Sequence, residues 1–317
     1  MFGLTADLTQ DVPERYFTLE TYEGGRARWC PGYSDHAVLS AVQRICRDEQ
    51  LPPEKVVAVS GIGCSSRFPH YMHTYGFHGL HGRALPVASG IKARRPDLHV
   101  WVATGDGDCC SIGAGHWIHA IRYNMDMTVM LFDNNIYGLT KKQTSPTTPI
   151  GFVTNTSPKG AWLPPMNVIQ ATLGFTNASF VARTLDWNPL HLYQTLKAAY
   201  HHKGLSFVHI LQRCPAYTEP LYDLMRKEPD RIVLMTHDQG IPADPAVARM
   251  YARQLAHDPA NLAEAREIAD RTDGMAIGLF YRNPAAPRYD EYTAVGLGMT
   301  PDDKLAALDR ELDRFAV

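Results

Sequence analysis

The chain has 317 residues, is 45% hydrophobic, and carries 31 basic against 33 acidic residues for a net charge of -2. It is long enough to bury a sizeable core, its charge balance argues against nucleic acid as a partner, and no apolar run approaches the roughly 20 residues that span a bilayer. Met1-Phe2-Gly3 leads into an acidic segment rather than a basic, apolar leader, so a cytoplasmic protein with no membrane contact is expected. In that compartment the six cysteines, at 30, 46, 64, 109, 110 and 214, read as metal ligands or buried thiols rather than disulfides.

In chain order, residues 1–28 are polar and irregular and predict an arm lying on a surface. A Cys30-Pro31-Gly32-Tyr33 turn then precedes a helix in which Val38, Leu39, Val42 and Ile45 recur at helical spacing, with Ser34 or Asp35 as its cap. Residues 55–60 form a short buried strand that runs into Gly61-Ile62-Gly63-Cys64-Ser65-Ser66. A glycine-rich turn after a strand exposes backbone N–H groups to phosphate oxygens, and the serines add hydroxyl donors. The next loop, 74–83, sets His78, His81 and Arg83 among glycines, where they can hydrogen-bond an anion, and a helix follows over 84–92.

A strand over 98–104 leads into Gly105-Asp106-Gly107-Asp108, a helix over 111–124 crosses back, and a strand over 128–132 ends at Asp133-Asn134-Asn135. Strand, crossover helix and strand make a parallel unit whose right-handed crossover puts both strand ends on one edge. Adjacent strands lie about 4.8 Å apart, so Asp106 and Asn134 can reach one cation. One carboxylate, one amide oxygen, a backbone carbonyl and diphosphate oxygens make a magnesium site, placed in the crevice where open α/β sheets bind ligands. Either motif alone reads as a turn; the two at this spacing point to the cation.

Residues 138–160 form a long loop rich in Thr, Ser, Pro and Lys, a length that predicts a functional segment. Alternation resumes with a helix over 167–173, a strand over 179–182, a helix over 189–200 and a strand over 206–211, directly before Cys214. From about 219 the character changes: helices are expected over 246–256 and 261–271, a strand over 275–281, an extended segment over 284–292 and a final helix over 302–315. The fold class is therefore α/β, a doubly wound, mostly parallel sheet, divided into an arm (1–28), a main domain (29–235) and a C-terminal extension (236–317).

Gly105-Asp106-Gly107 with Asn134-Asn135 resembles the thiamine diphosphate and magnesium fingerprint. Gly61-Ile62-Gly63-Cys64-Ser65, Tyr75-Gly76-Phe77-His78-Gly79, His81-Gly82-Arg83 and Asn134-Asn135-Ile136-Tyr137-Gly138-Leu139-Thr140-Lys141 are similar to the beta subunit of 2-oxoacid:ferredoxin oxidoreductases, a resemblance covering roughly residues 29–235. Ile210-Leu211-Gln212 with Cys214-Pro215 looks closest to the 2-oxoglutarate branch.

The resemblance implies magnesium on Asp106, Asn134 and the Ile136 carbonyl, and thiamine diphosphate along Gly63, Ser65, His81, Gly105, Gly107, Asp108, Asn134, Ile136 and Tyr137. His81 and Lys141 would act at the reacting centre, Lys141 by meeting the substrate carboxylate or, alternatively, standing as a surface lysine. The implied reaction is oxidative decarboxylation of a 2-oxoacid to its acyl-coenzyme A, with electrons leaving through an iron–sulfur cluster to ferredoxin or another acceptor. Cys30, Cys64 and Cys214 match three cluster ligands, while the fourth position is Tyr33. The fourth ligand is then Asp35, Tyr33 or solvent, or the cluster is a three-iron form, or it is lost; three thiols kept at such separations favour a retained cluster, 4Fe-4S in type. The glutamate that activates the aminopyrimidine in thiamine enzymes implies a partner alpha subunit carrying the pyrimidine-binding domain. A non-redox thiamine decarboxylase or synthase subunit, and a non-catalytic subunit binding a phosphorylated ligand, remain the alternatives. Cys46, Cys109 and Cys110 read as packing residues.

Overall fold

The computed structural model describes residues 16–242, 244–293 and 299–315, so the first 15 residues of the expected arm lie outside the described residues. The alternation read from the sequence appears as α1 (Asp35–Asp48), β1 (Val56–Ser60), β2 (Tyr75–His78), α2 (Ala84–Arg94), β3 (His99–Gly105), α3 (Ala114–Tyr123) and β4 (Met127–Asp133). A small hairpin, β5 (Ile136–Tyr137) and β6 (Gln143–Thr144), sits inside the long loop. Then come α4 (Val168–Gly174), β7 (Phe180–Leu185), α5 (Pro189–His201) and β8 (Leu205–Leu211). The chain continues through α6 (Glu219–Lys227), β9 (Ile232–Thr236), α7 (Pro245–Met250), β10 (Arg253–Ala256), α8 (Leu262–Asp270), β11 (Met275–Arg282), α9 (Tyr289–Tyr292) and α10 (Pro301–Asp313).

The main sheet has nine strands in the order β10-β9-β11-β7-β8-β4-β3-β1-β2. From β7 to β2 every neighbouring pair is parallel. β11 joins β7 antiparallel, and β9 and β10 follow parallel to β11, so the C-terminal residues extend the same sheet with reversed direction. Every residue of β4 and of β8 is buried, the near-continuous apolar pattern of strands covered on both faces. One face packs Val38, Val42 and Ile45 of α1 against Leu192 and Leu196 of α5. The other packs Leu85 of α2, Trp117 and Ile121 of α3 and Ile169 of α4.

Four expectations are corrected. Residues 16–28 are not wholly a surface arm: most are exposed or half-buried, but Phe17 and Tyr22 enter the core, and the Tyr22 hydroxyl donates to the carbonyls of Cys46 and Leu51. The loop expected over 74–83 contains the edge strand β2, hidden in the sequence because all four of its residues are exposed. The helix expected over 246–256 stops at Met250, and Arg253–Ala256 pairs with β9 instead, since a parallel partner satisfies the backbone better than helix propensity can. The segment expected to be extended over 284–292 ends in the short helix α9.

The turn from α3 to β4 shows how the sheet's parallel pairs are locked. Asn124 ends α3 at φ 49°, a left-handed conformation that asparagine tolerates better than most residues. Its buried side-chain oxygen accepts from the Leu205 N–H at 2.8 Å and from the Ser179 hydroxyl at 2.5 Å, joining the starts of β7 and β8. Asn124→Ala removes these bonds and strains the turn, and should cost about 3 kcal/mol, read as a lower urea midpoint with unchanged slope. Asn124→Gly should recover only the backbone part of that loss.

Candidate active site

The register of the parallel strands builds the site. Gly105 pairs with Phe132 and Asp133 with Leu211, so Asp106, Asn134 and Gln212 emerge together at the carboxyl ends of β3, β4 and β8, beside the Gly61–Ser65 turn from β1. They surround a cavity of about 370 Å³ lined by Gly63, Ser65, His81, Gly105, Asp106, Gly107, Asp108, Asn134, Ile136 and Tyr137, together with Tyr33, Cys64 and Gln212.

Asp106 and Asp133 are both buried, and one hydroxyl stands between them. Thr147 Oγ1 lies 2.8 Å from Asp106 Oδ2 and 2.7 Å from Asp133 Oδ1, yet it has only one proton to donate. Ser145 adds a second donor to Asp106 at 2.5 Å. Asp133 is further held by the Asn135 backbone and amide N–H groups and by His209 Nε2 at 2.8 Å. Arg183 Nε donates to His209 Nδ1, which leaves Nε2 as the ring N–H that donates to Asp133. Burial keeps His209 neutral by lowering its pKa. Burial, then the facing Asp133 carboxylate, pushes Asp106 up to about 7. Two acids with no bonded lysine or arginine among the described residues make an anionic pocket that a divalent cation would relieve. The oxygens on offer fit a hard cation: the Asp106 carboxylate, Asn134 Oδ1 and the Ile136 carbonyl. Asn134 is oriented by two bonds, since its Oδ1 accepts from Ile136 N–H at 3.2 Å while its Nδ2 donates to the Tyr33 hydroxyl at 2.7 Å.

Asp108 ties the surrounding turns together. Its Oδ1 accepts from His81 Nδ1 and Gly82 N–H, both at 2.7 Å, and from Ile62 N–H at 3.1 Å, while its Oδ2 accepts from Thr104. With Nδ1 so engaged, Nε2 is the His81 nitrogen left for a ligand. A Cβ on Gly61 would come within 2.1 Å of Asp108, so only glycine allows that turn to close over the carboxylate. A Cβ on Gly107 would likewise fall 2.1 Å from the Tyr137 ring, whose hydroxyl donates to the Gly107 carbonyl at 3.0 Å.

Of the three candidate cluster cysteines, Cys64 lines the cavity, and Cys30 and Cys214 are close enough to act on its thiol. Gly138 separates two of them: a Cβ there would sit 3.6 Å from Cys214 Sγ and 3.8 Å from Cys64 Sγ. Trp29 Nε1 fixes the Cys64 carbonyl at 2.7 Å, and Thr218 Oγ1 links Cys214 N–H to the Asn134 carbonyl. Burial pushes the Cys64 thiol up to about 12, helped by Asp35, Cys214 and Cys30. Thiols held protonated in this way become ligands when a metal displaces the proton. Among the described residues no group of three or more His, Cys, Asp or Glu is arranged around a single ion. Tyr33 is buried, and its hydroxyl donates to Gln212 Oε1 at 3.2 Å. Gln212 Nε2 in turn donates to Asp35 Oδ1 at 2.8 Å, and Asp35 Oδ2 is buried without a partner.

The fold thus gathers Asp106, Asn134, Ile136 and the other candidate cofactor contacts. Lys141 is exposed at φ 75° and does not line the cavity. Sequence reasoning passed over Asp133, His209, Arg183 and the link from Tyr33 to Asn134. Aspartate at a strand end and histidine inside an apolar strand carry no spacing signal; only the register of β4 and β8, pairing Leu131 with His209, brings them together. Cys46, Cys109 and Cys110 are buried free thiols within the two main apolar clusters.

Residues 61–210 match the family described as thiamine pyrophosphate enzyme, C-terminal TPP binding domain. The chain is 39% identical to the 2-oxoglutarate oxidoreductase subunit KorB of Mycobacterium tuberculosis, over 91% of this chain and 85% of that one. It is also 39% identical to the 2-oxoacid:ferredoxin oxidoreductase subunit beta of Saccharolobus solfataricus, over 84% and 85% respectively. Among solved structures it is similar to a chain of the 2-oxoglutarate:ferredoxin oxidoreductase from Magnetococcus marinus, solved with 2-oxoglutarate, coenzyme A and succinyl-CoA bound. The TM-score is 0.77 at 35% identity, covering 92% of this chain and 96% of that one. With a thiamine pyrophosphate-binding domain built around this cavity and relatives matched over most of their length, the chain belongs to the beta subunits of the 2-oxoacid:ferredoxin oxidoreductases.

Proposed function

We propose that this chain is the thiamine diphosphate-binding subunit of an enzyme that oxidatively decarboxylates 2-oxoglutarate to its acyl-coenzyme A and delivers the electrons to ferredoxin. The observation that carries this reading is the buried Asp106–Asp133 pair, with no lysine or arginine bonded to either carboxylate among the described residues, at the edge of a cavity floored by glycine-rich turns. The choice of 2-oxoglutarate rests on the names of the relatives.

When bound, thiamine diphosphate supplies the nucleophilic carbon and electron sink for decarboxylation, magnesium neutralises the diphosphate, and an iron–sulfur cluster takes electrons one at a time. Asp106, Asn134 and the Ile136 carbonyl would hold magnesium. Gly63, Ser65, Gly105, Gly107 and Tyr137 would line the cofactor, with Asp108 acting chiefly by fixing His81 and the turn at Gly61. His81 Nε2 would exchange a proton or hydrogen bond with the reacting groups. Lys141, next to the lining residue Thr140, would meet the substrate carboxylate from the loop. Cys30, Cys64 and Cys214 would hold the cluster, 4Fe-4S in type, with a fourth ligand that is not cysteine. Free thiols throughout the described residues accord with a reducing, cytoplasmic setting, and no helix among them is long and apolar enough to cross a membrane.

The partner is an alpha subunit bringing the pyrimidine-binding domain. Apolar side chains stand exposed at Phe77, Leu80, Ile150, Trp162 and Leu163, where a partner would cover them.

Three outcomes test the reading. Asp106→Asn should weaken magnesium-dependent binding of thiamine diphosphate by about tenfold or more, measured by calorimetry on the folded variant. Neither this chain nor the alpha subunit alone should reduce a viologen with 2-oxoglutarate and coenzyme A, whereas the complex should; turnover by the isolated chain refutes the division of labour. Iron and labile sulfide should accompany the anaerobically purified complex, and their absence alongside intact cofactor-dependent decarboxylation would favour a non-redox thiamine enzyme.

A further inference from the structure

The last helix, α10, is specified strongly by its own residues, yet it covers none of its apolar side chains. Pro301 stands in its first turn, and Thr300 and Asp303 close a reciprocal capping box: Thr300 Oγ1 accepts from Asp303 N–H at 3.2 Å, and Asp303 Oδ2 accepts from Thr300 N–H at 3.0 Å. An Arg314–Glu311 ion pair, three positions apart, supports the other end. Even so, no residue of α10 is buried; Leu305, Leu308 and Leu312 are 59%, 55% and 59% exposed, and Phe315 just beyond is 80% exposed. Among the described residues, the side-chain bonds of residues 300–315 stay within that segment. Apolar groups gathered on one exposed face mark a docking surface.

The spacing selects the occupant. Residues 305, 308, 312 and 315 recur at alternating intervals of three and four, a narrow seam that suits one other helix wound around it, whereas a helix lying on a globular body carries a wider apolar stripe. Leu305 and Leu312 take the first heptad position and Leu308 and Phe315 the fourth, which puts Lys304 and Glu311 on one flank of the seam and Asp309 on the other. We propose that α10 pairs in parallel with α10 of a second copy of this chain. Charge fixes both the identity and the direction of the partner. In a parallel pair Lys304 of each copy faces Asp309 of the other, so two-fold symmetry makes the attraction twice. In the antiparallel register that also covers all four apolar residues, Leu305 meets Phe315 and Leu308 meets Leu312. Glu311 would then face Glu311 and Asp309 would face Asp309, and like charges so opposed destabilise the pair. The proposal stands independently of the reading of function above.

A helix of 13 residues pairs weakly by itself, so the test reads contact between the helices rather than the mass of the assembly. The full chain, in complex with its alpha subunit, is prepared with Leu308→Cys on the seam and, separately, with Arg310→Cys on the outer face, and each is mildly oxidised. Leu308→Cys should join two copies of this chain, seen as a doubled mass on a non-reducing gel. Arg310→Cys should stay at the background of the unaltered complex, which the exposed Cys30 sets. Adding Lys304→Glu to Leu308→Cys should slow cross-linking by about three- to tenfold, and adding Asp309→Lys to that variant should restore the rate. All these positions are exposed, and circular dichroism of each complex confirms that the fold is kept. No product joining two copies in Leu308→Cys, or a rate indifferent to the charge swap, overturns the proposal. So does a product joining this chain to the alpha subunit, which would make α10 a subunit-docking helix. Cross-linking only in a mixture of Leu308→Cys and Leu312→Cys copies overturns it as well, because that pattern reports the antiparallel pair.

Discussion

Two carboxylates buried side by side at the ends of neighbouring strands are the constraint on which the rest of the site depends. In a medium of low dielectric such a pair is costly unless a proton, hydrogen bonds or a cation intervenes. The chain answers with hydrogen bonds that reach from three directions. The loop after β6 brings the hydroxyls of Ser145 and Thr147, β8 brings neutral His209, and β7 brings Arg183 to fix the tautomer of that histidine. Asp133 is thereby surrounded by donors, whereas Asp106 relies on Ser145 and on the shared threonine proton, and burial pushes its pKa up. That asymmetry suits Asp106 to take a cation and Asp133 to remain an anchor.

The same logic explains why the long loop is ordered where it is. Thr148 Oγ1 donates to the Asn135 carbonyl, and Asn135 Nδ2 donates to the Thr147 carbonyl, so the loop is stitched to the strand end it serves. Asn135 adopts φ 58°, which turns the chain back over the cavity and lets Ile136 and Tyr137 pair with Gln143 and Thr144. The loop and the candidate cation site are therefore linked, because Ser145 and Thr147 donate to the Asp106 carboxylate.

The sequence makes part of this legible and hides part. Strand, crossover helix and strand from 98 to 132 are periodic and bounded by glycine and asparagine, so the edge where Asp106 and Asn134 emerge can be read before any coordinates. Asp108 is visible as an acidic residue next to glycine, but its work, holding His81 and the Gly61 turn, depends on contacts 27 and 46 positions away that no local pattern encodes. The edge strand β2 escaped because an exposed strand has no hydrophobic alternation. β10 escaped because its residues suit a helix equally well until β9 offers a parallel partner. In each case the missing information is a tertiary neighbour.

Tyr33 shows how far such neighbours can redefine a residue. The family resemblance implies a cluster thiolate at its position in the chain; by contact it belongs to the other site, accepting from Asn134 and donating to Gln212. Burial and nearby Asp35 raise its pKa well above that of a free phenol, so the hydroxyl keeps the proton it donates. A neutral phenol used in both directions is poorly placed to become an anionic iron ligand. Asp35 differs: Gln212 holds one of its oxygens, and the other is buried with no partner. Buried polar atoms without partners are uncommon in stable folds, and this one closes a chain of hydrogen bonds that starts at the amide oriented toward the candidate magnesium site. Through its single buried hydroxyl Tyr33 thus joins Asn134 to Gln212 and, through Gln212, to Asp35.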